Sequence, residues 1–122
     1  MTIAQQLGIK TSEFPFEIKD KHDNIIYREF SDGRWWMWKY DDKGNEIYFK
    51  DHNNYWCRSE YNKNGDQVYF KDSNNCWEEK EYDIHGNEVY YGNSDGFWIK
   101  REFNEQGDKI INTSMRNSKR DY

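Results

Sequence analysis

The segment YDDKGNEIYFKDHNNYW (Tyr40 to Trp56) returns as YNKNGDQVYFKDSNNCW (Tyr61 to Trp77) and again as YDIHGNEVYYGNSDGFW (Tyr82 to Trp98). Trp35, Trp56, Trp77 and Trp98 stand 21 residues apart, and Phe14 continues that series backwards. Gly44, Gly65, Gly86 and Gly107 keep the same spacing, as do Ile26, Ile47, Val68, Val89 and Ile110. No insertion breaks the register between about residues 14 and 111. Fixed self-similarity of this kind describes one small structural unit stacked on copies of itself.

Each repeat holds two short aromatic and β-branched runs separated by turn residues, which predicts two strands. One turn carries Gly44, Gly65, Gly86 or Gly107, as in DDKGN and NKNGD. It fits a three-residue loop whose glycine is left-handed, a type I turn plus bulge, pairing Asp41 with Asn45. The other turn is Asp32-Gly33, Asn53-Asn54, Asn74-Asn75 or Asp95-Gly96. Residues that tolerate positive φ at both central positions predict a two-residue type I′ turn, pairing His52 with Tyr55. Loops of three and two residues together advance the chain by its own period, so equivalent residues should lie straight across the sheet on one face.

That register sends Phe14, Phe16, Ile18, Ile26, Phe30, Trp35, Met37, Ile47, Phe49, Trp56, Val68, Phe70, Trp77, Val89, Tyr91, Trp98 and Ile110 to one side, the expected core side. It sends Tyr40, Tyr48, Tyr61, Tyr69, Tyr82, Tyr90 and Phe103 to a wettable side, where Trp36, Trp38 and Ile99 are extra apolar residues. The fold class expected is all-β: an antiparallel meander of about ten strands, each of seven or eight residues, from 21-residue hairpin repeats. A ribbon of that extent must coil, close on itself or cover its apolar face with a second copy. A coiled or partly closed single sheet is expected first and a homodimer second. Residues 1–12 predict a short helical lead-in, with Thr2 as N-cap, Ile3 and Leu7 on one side and Gly8 as the stop. A single β-repeat domain is expected over 13–113 and a flexible polar tail over 114–122.

Composition constrains what such a sheet is for. Leu, Ile, Val and Phe make up only about a sixth of the 122 residues, while six Trp and ten Tyr supply the area to bury. A net charge of −5 is too small to imply disorder and argues against nonspecific nucleic-acid binding, which needs a basic surface. There is no apolar run long enough for a membrane span, no pattern of a secretion signal at the start, and two cysteines are too few for a disulfide framework. A cytoplasmic protein follows as the expectation.

The motif Tyr-Asp-x-x-Gly-Asn at Tyr40-Asp41/Gly44-Asn45 and Tyr82-Asp83/Gly86-Asn87 resembles the YD repeat of RHS-type proteins. Tyr61-Asn62/Gly65-Asp66 and Phe103-Asn104/Gly107-Asp108 are looser copies, and the resemblance covers about residues 20 to 111. In that family the repeats build a long spiralling β-sheet shell around a toxin; what the resemblance implies for this short chain is the β-ribbon. The layout, from QLGI through FPFEIKD to hairpins of NSDGFW and EYD type, also looks like small uncharacterised bacteriophage proteins.

Candidate chemistry is sparse. His22, His52 and His85 fall in or beside different turns and read as solvated turn residues rather than converging metal ligands. Asp20, Asp41, Asp51, Asp72 and Asp83 lie singly at turns, where Asp caps its own backbone. Cys57 and Cys76 read as buried or half-buried thiols. No triad, P-loop or paired-carboxylate pattern stands out, so no enzyme, no cofactor and no metal site is expected. Aromatics on the wettable side lack a packing duty, and Tyr and Trp are favoured at interfaces. The expected partner-binding residues are Trp36, Trp38, Tyr40, Tyr48 and Tyr61, on a non-enzymatic protein that binds a host protein. A phage-encoded inhibitor of a bacterial defence (CRISPR) effector is the form expected; the alternative is glycan or cell-wall binding through an exposed Trp ladder. No membrane and no direct nucleic-acid binding are expected.

Overall fold

A computed structural model describes residues 2–115. From 116 onward the expected tail lies outside the described residues. Ten antiparallel strands follow in sheet order as in sequence: β1 (Phe16–Lys19), β2 (Ile25–Glu29), β3 (Trp35–Tyr40), β4 (Glu46–Asp51), β5 (Trp56–Tyr61), β6 (Gln67–Asp72), β7 (Trp77–Tyr82), β8 (Glu88–Asn93), β9 (Trp98–Phe103) and β10 (Lys109–Met115). The fold is the all-β meander that the repeat implies, and its sheet is open, with β1 and β10 at the two ends of the order. Its contacts cluster into two compact units, Met1–Arg58 and Ser59–Tyr122. The helices of the described residues are α1 (Ile3–Leu7) and a 3-10 turn at Thr11–Glu13, neither long enough to cross a membrane.

The lead-in forms as its sequence implies. The Thr2 hydroxyl accepts from the Gln5 N–H, the Gln5 side chain accepts from the Thr2 N–H, and Gly8 ends α1 at φ 71°.

The hairpin turns differ from expectation, and the difference sets the whole register. The Gly44 turn is the three-residue loop foreseen: Asp41 N–H donates to the Asn45 carbonyl, and Gly44 N–H to the Asp41 carbonyl. The second turn is the same structure. Asp51, not His52, is bonded to Tyr55, and of the pair Asn53-Asn54 only Asn54 has positive φ, at 67°. Gly33, Asn75 and Gly96 repeat that pattern, so no type I′ turn forms at these hairpins. In the loops that end at Tyr55, Cys76 and Phe97 the reason is the residue that opens the loop, whereas Phe30 opens the Gly33 loop without such a side chain. The Asp51 carboxylate accepts the N–H groups of Asn53 (2.9 Å) and Tyr55 (3.2 Å), which organises a loop of three. Asp41, Asn62, Asp72, Asp83, Asn93 and Asn104 accept two N–H groups in the same way. With three residues in every loop the strands are four to seven residues long, all but β10 shorter than expected.

Two three-residue loops by themselves would turn equivalent residues to opposite faces. One bulge per repeat corrects this. Ile26, Ile47, Val89 and Ile110 are skipped by the pairing: Tyr40 pairs with Glu46 but Lys39 with Tyr48, and Tyr82 with Glu88 but Glu81 with Tyr90. Met37 pairs with Lys50 and Lys50 with Trp56, a step of 19 residues straight across. Since 19 and 21 are both odd, Trp56 stays on the face of Trp35. It is displaced along the sheet by two residues, roughly 7 Å, so rows of equivalents slant instead of running straight.

The expected faces are redrawn accordingly. In the first unit Phe30 and Phe49 leave the expected core side and join Trp36 and Trp38, while Tyr48 pairs with Lys39 and Arg58 on the face of Trp35, Met37 and Trp56. In the second unit Phe70 and Tyr91 lie opposite Trp77, and Tyr69 and Tyr90 share its face. Neither face is a closed core. The Trp35 series is half-buried throughout, and the buried apolar residues of the described chain are Ala4 and Tyr27.

Candidate functional site

The first unit separates its two faces by what covers them. On the Trp35 face, Glu29 holds α1 in place. Its carboxylate accepts the Thr2 hydroxyl (2.7 Å), the Ala4 N–H (3.2 Å) and the Tyr27 hydroxyl (2.7 Å), and Glu29 is only 2% exposed. A carboxylate set against the free N–H groups of a helix start is a favourable arrangement. Burial and then the Glu29 hydrogen bond raise the Tyr27 hydroxyl above the usual tyrosine range. Tyr27 in turn stacks on Trp35, with ring centroids 6.1 Å apart. A concavity of about 510 Å³ lies on this side, lined by Ile3, Ile18, Ile26, Met37 and Ile47 among others.

The opposite face of the first unit carries a row of rings. Phe30 meets Trp36 edge-on at 5.3 Å, Trp38 meets Phe49 at 5.9 Å, and Phe49 meets Tyr55 at 6.4 Å. Cross-strand pairing makes the row: Trp38 is directly across from Phe49, and Trp36 lies beside the Phe30–Arg34 turn. The Arg34 guanidinium lies over both the Phe30 and Trp36 rings, at 5.1 and 5.7 Å, while its Nε bonds Asp32 at 2.7 Å. Arg28, bonded to Glu17, completes a shallow hollow of about 360 Å³ with Phe30, Arg34, Trp36 and Trp38. All five rings of the row are half-buried. Since α1 is anchored on the other side by Glu29, it does not cover them.

Of the five residues singled out from sequence, the structure therefore joins Trp36 and Trp38. Tyr40 pairs with Glu46 at the end of β3 and borders the apolar concavity; burial, then Glu46 and Asp20, raise its hydroxyl above the ordinary range. Tyr48 is on the opposite face, because the bulge at Ile47 shifts its pairing to Lys39. Tyr61 belongs to the second unit. The five do not make one patch.

Sequence reasoning missed Phe30, Phe49, Tyr55 and His52. His52 is not merely a solvated turn residue: its ring stands edge-on to Trp36 at 6.1 Å, and its Nδ1 is buried without a hydrogen-bond partner. The signal that finds Phe49 is the Asp-x-x-Gly/Asn loop on each side of β4, at Asp41 and at Asp51, which makes the two turns alike and demands a bulge between them. Cys57 is half-buried and Cys76 exposed, and neither is in a disulfide.

No family model matches the chain, and no curated protein matches it. Among solved structures it is similar to the crystal structure of TcdB2-TccC3-TEV, with a TM-score of 0.62 and 10% identity over 84% of this chain. The match takes up 6% of that chain's length. At this identity the likeness concerns the fold alone, and it supports the YD/RHS-like β-hairpin repeat implied by the Tyr-Asp-x-x-Gly-Asn motifs.

Proposed function

We propose that the chain is a non-enzymatic protein-binding module that docks through the aromatic row of its first unit. The observation that carries this reading is the grouping of Phe30, Trp36, Trp38, Phe49 and Tyr55 on one face, half-buried and on the side away from α1. Rings held rigid by their neighbours offer large contact area at small entropic cost, and Trp and Arg dominate the energetics of interface centres. Arg34, held over two of the rings, gives the row a polar edge. The partner class proposed is a host protein, and the finer form is a phage-encoded inhibitor of a bacterial defence effector such as a CRISPR nuclease complex.

The test is capture from bacterial lysate with the wild-type chain and with Trp36→Ala/Trp38→Ala, identifying retained proteins by mass spectrometry. Loss of a hot-spot pair should lower affinity for the captured partner roughly a hundredfold while the far-UV spectrum is kept. Equal capture by the double variant overturns the reading. A tryptophan emission shift on adding cell-wall polysaccharide transfers the function to glycan binding.

A further inference from the structure

The second unit presents a different surface on the face of Trp77 and Trp98. A trough of about 520 Å³ is lined there by Glu60, Tyr69, Glu79, Glu81 and Tyr90 among others, and by Lys80, whose pairing with Tyr91 places it at the alternate position, facing the other side. Pairing builds it: Tyr69 is directly across from Glu79, and Tyr90 directly across from Glu81. Each of these two carboxylates thus has a phenol ring as its cross-strand neighbour, with Cβ atoms roughly 5 Å apart. No described cation lies within ion-pairing distance of Glu60, Glu79 or Glu81. Lys100, the neighbour of Tyr90 on β9, lies over the Trp98 ring at 5.5 Å.

Position 92 explains the exposed charge. Lys50 and Lys71 stand at the equivalent place in the two preceding repeats, and Gly92 breaks the series. Gly92 is directly across from Glu79, so a lysine there would face that carboxylate and neutralise it. The missing side chain also makes room for a ring. A Cβ at residue 92 would fall 2.5 Å from the Tyr90 hydroxyl oxygen and 3.1 Å from Cζ, so the phenol lies across the glycine. One substitution within the repeat both removes a cation and seats an aromatic ring beside the carboxylates.

The geometry points to a docking trough for a basic, extended segment of a partner protein, with lysine or arginine at alternate positions. Glu79 and Glu81 are two residues apart on β7, roughly 7 Å, and the described residues gather no group of three or more side chains that could hold a metal ion. Alternate side chains of an extended peptide repeat at that same pitch. Each would meet a carboxylate and a tyrosine face, the combination that holds an ammonium or guanidinium group by charge and by the ring quadrupole. The chain's net charge of −5 favours such a partner.

Fluorescence anisotropy of a labelled peptide with alternating lysines, titrated with the full chain at fixed ionic strength, tests the trough. The wild-type chain should bind it and should not bind the same peptide with every lysine acetylated. Gly92→Lys should weaken binding about tenfold, the value of one lost cation–ring–carboxylate contact, and Glu79→Gln/Glu81→Gln, which removes two, should weaken it more. Glu81→Gln by itself serves if Gly92→Lys disturbs the far-UV spectrum. Glu105→Gln, in the turn before β10, should change nothing, and Trp36→Ala/Trp38→Ala should bind as wild type whatever becomes of the first unit's partner. No binding, equal binding of the acetylated peptide, or an equal loss with Glu105→Gln overturns the proposal. So does a tenfold gain on truncation after Met115, which would assign the trough to the chain's own Arg116, Lys119 and Arg120.

Discussion

β3 of the first unit and β7 of the second occupy the same place in the repeat, 42 residues apart, yet they carry different surfaces. Trp36 and Trp38 correspond to Glu78 and Lys80. Both strands follow a three-residue loop, both pair with a strand bulged one residue after its start, and both cross their neighbour in the same register. On β3 the outward positions feed a row of rings. Around β7 the same positions feed polar contacts, Tyr91 to Glu78 at 3.1 Å and Asn93 to Tyr91 at 3.3 Å. The lesson is that loops and bulges hold the backbone, so side chains on the faces can change without altering the fold. Among the described residues only the first unit adds a helix, anchored through Glu29.

The strongest challenge to that lesson is to remove a bulge. Deleting Val89 should turn Tyr90 to Asn93 over relative to β7 and abolish cooperative thermal unfolding of the second unit. An unchanged melt with unchanged quenching of Trp98 would mean that loops alone set the faces. A smaller effect is expected where the units differ. Glu29→Ala leaves the Ala4 N–H and the Tyr27 hydroxyl without their acceptor and should cost about 2–4 kcal/mol in urea unfolding. Hydrogen exchange should place that loss in the first unit, and protection lost equally in both units would contradict the division.

The smallest effect separates equivalent turns by pH. Hydrogen bonds from Asn45 and Asn87 hold the Asp41 and Asp83 carboxyls below the ordinary value. A depressed folded pKa gives stability that is present above the unfolded value, about 3.9, and lost as pH falls through the folded one. Asn62 and Asn104 make the same contacts with no proton to gain. Asp41→Asn/Asp83→Asn should therefore leave stability at pH 7 nearly unchanged and flatten its decline below pH 4. An unaltered acid slope would remove these turns from the account.

The architecture was legible before any coordinates. The 21-residue period, the glycine loops and the Thr2-capped lead-in all appear where the sequence places them. The face of each aromatic was not legible, because a type I′ turn and a three-residue loop draw on the same Asn, Asp and Gly, and choosing between them moves the register by one. That single residue carried Phe49 and Tyr48 to opposite sides from those expected. It also reduced the candidate site from five residues to the pair Trp36 and Trp38, now joined by Phe30, Phe49 and Tyr55.

What the sequence by itself determined is the meander: local loop chemistry repeated at constant spacing dictates hairpin after hairpin, and each loop is stabilised by atoms within five residues of one another. What only the tertiary structure decided is which rings meet. That depends on where a strand gains its extra residue, and the bulges at Ile47 and Val89 are defined only against the strands they pair with. Side-chain facing has a period of two, so one unpaired residue inverts everything beyond it.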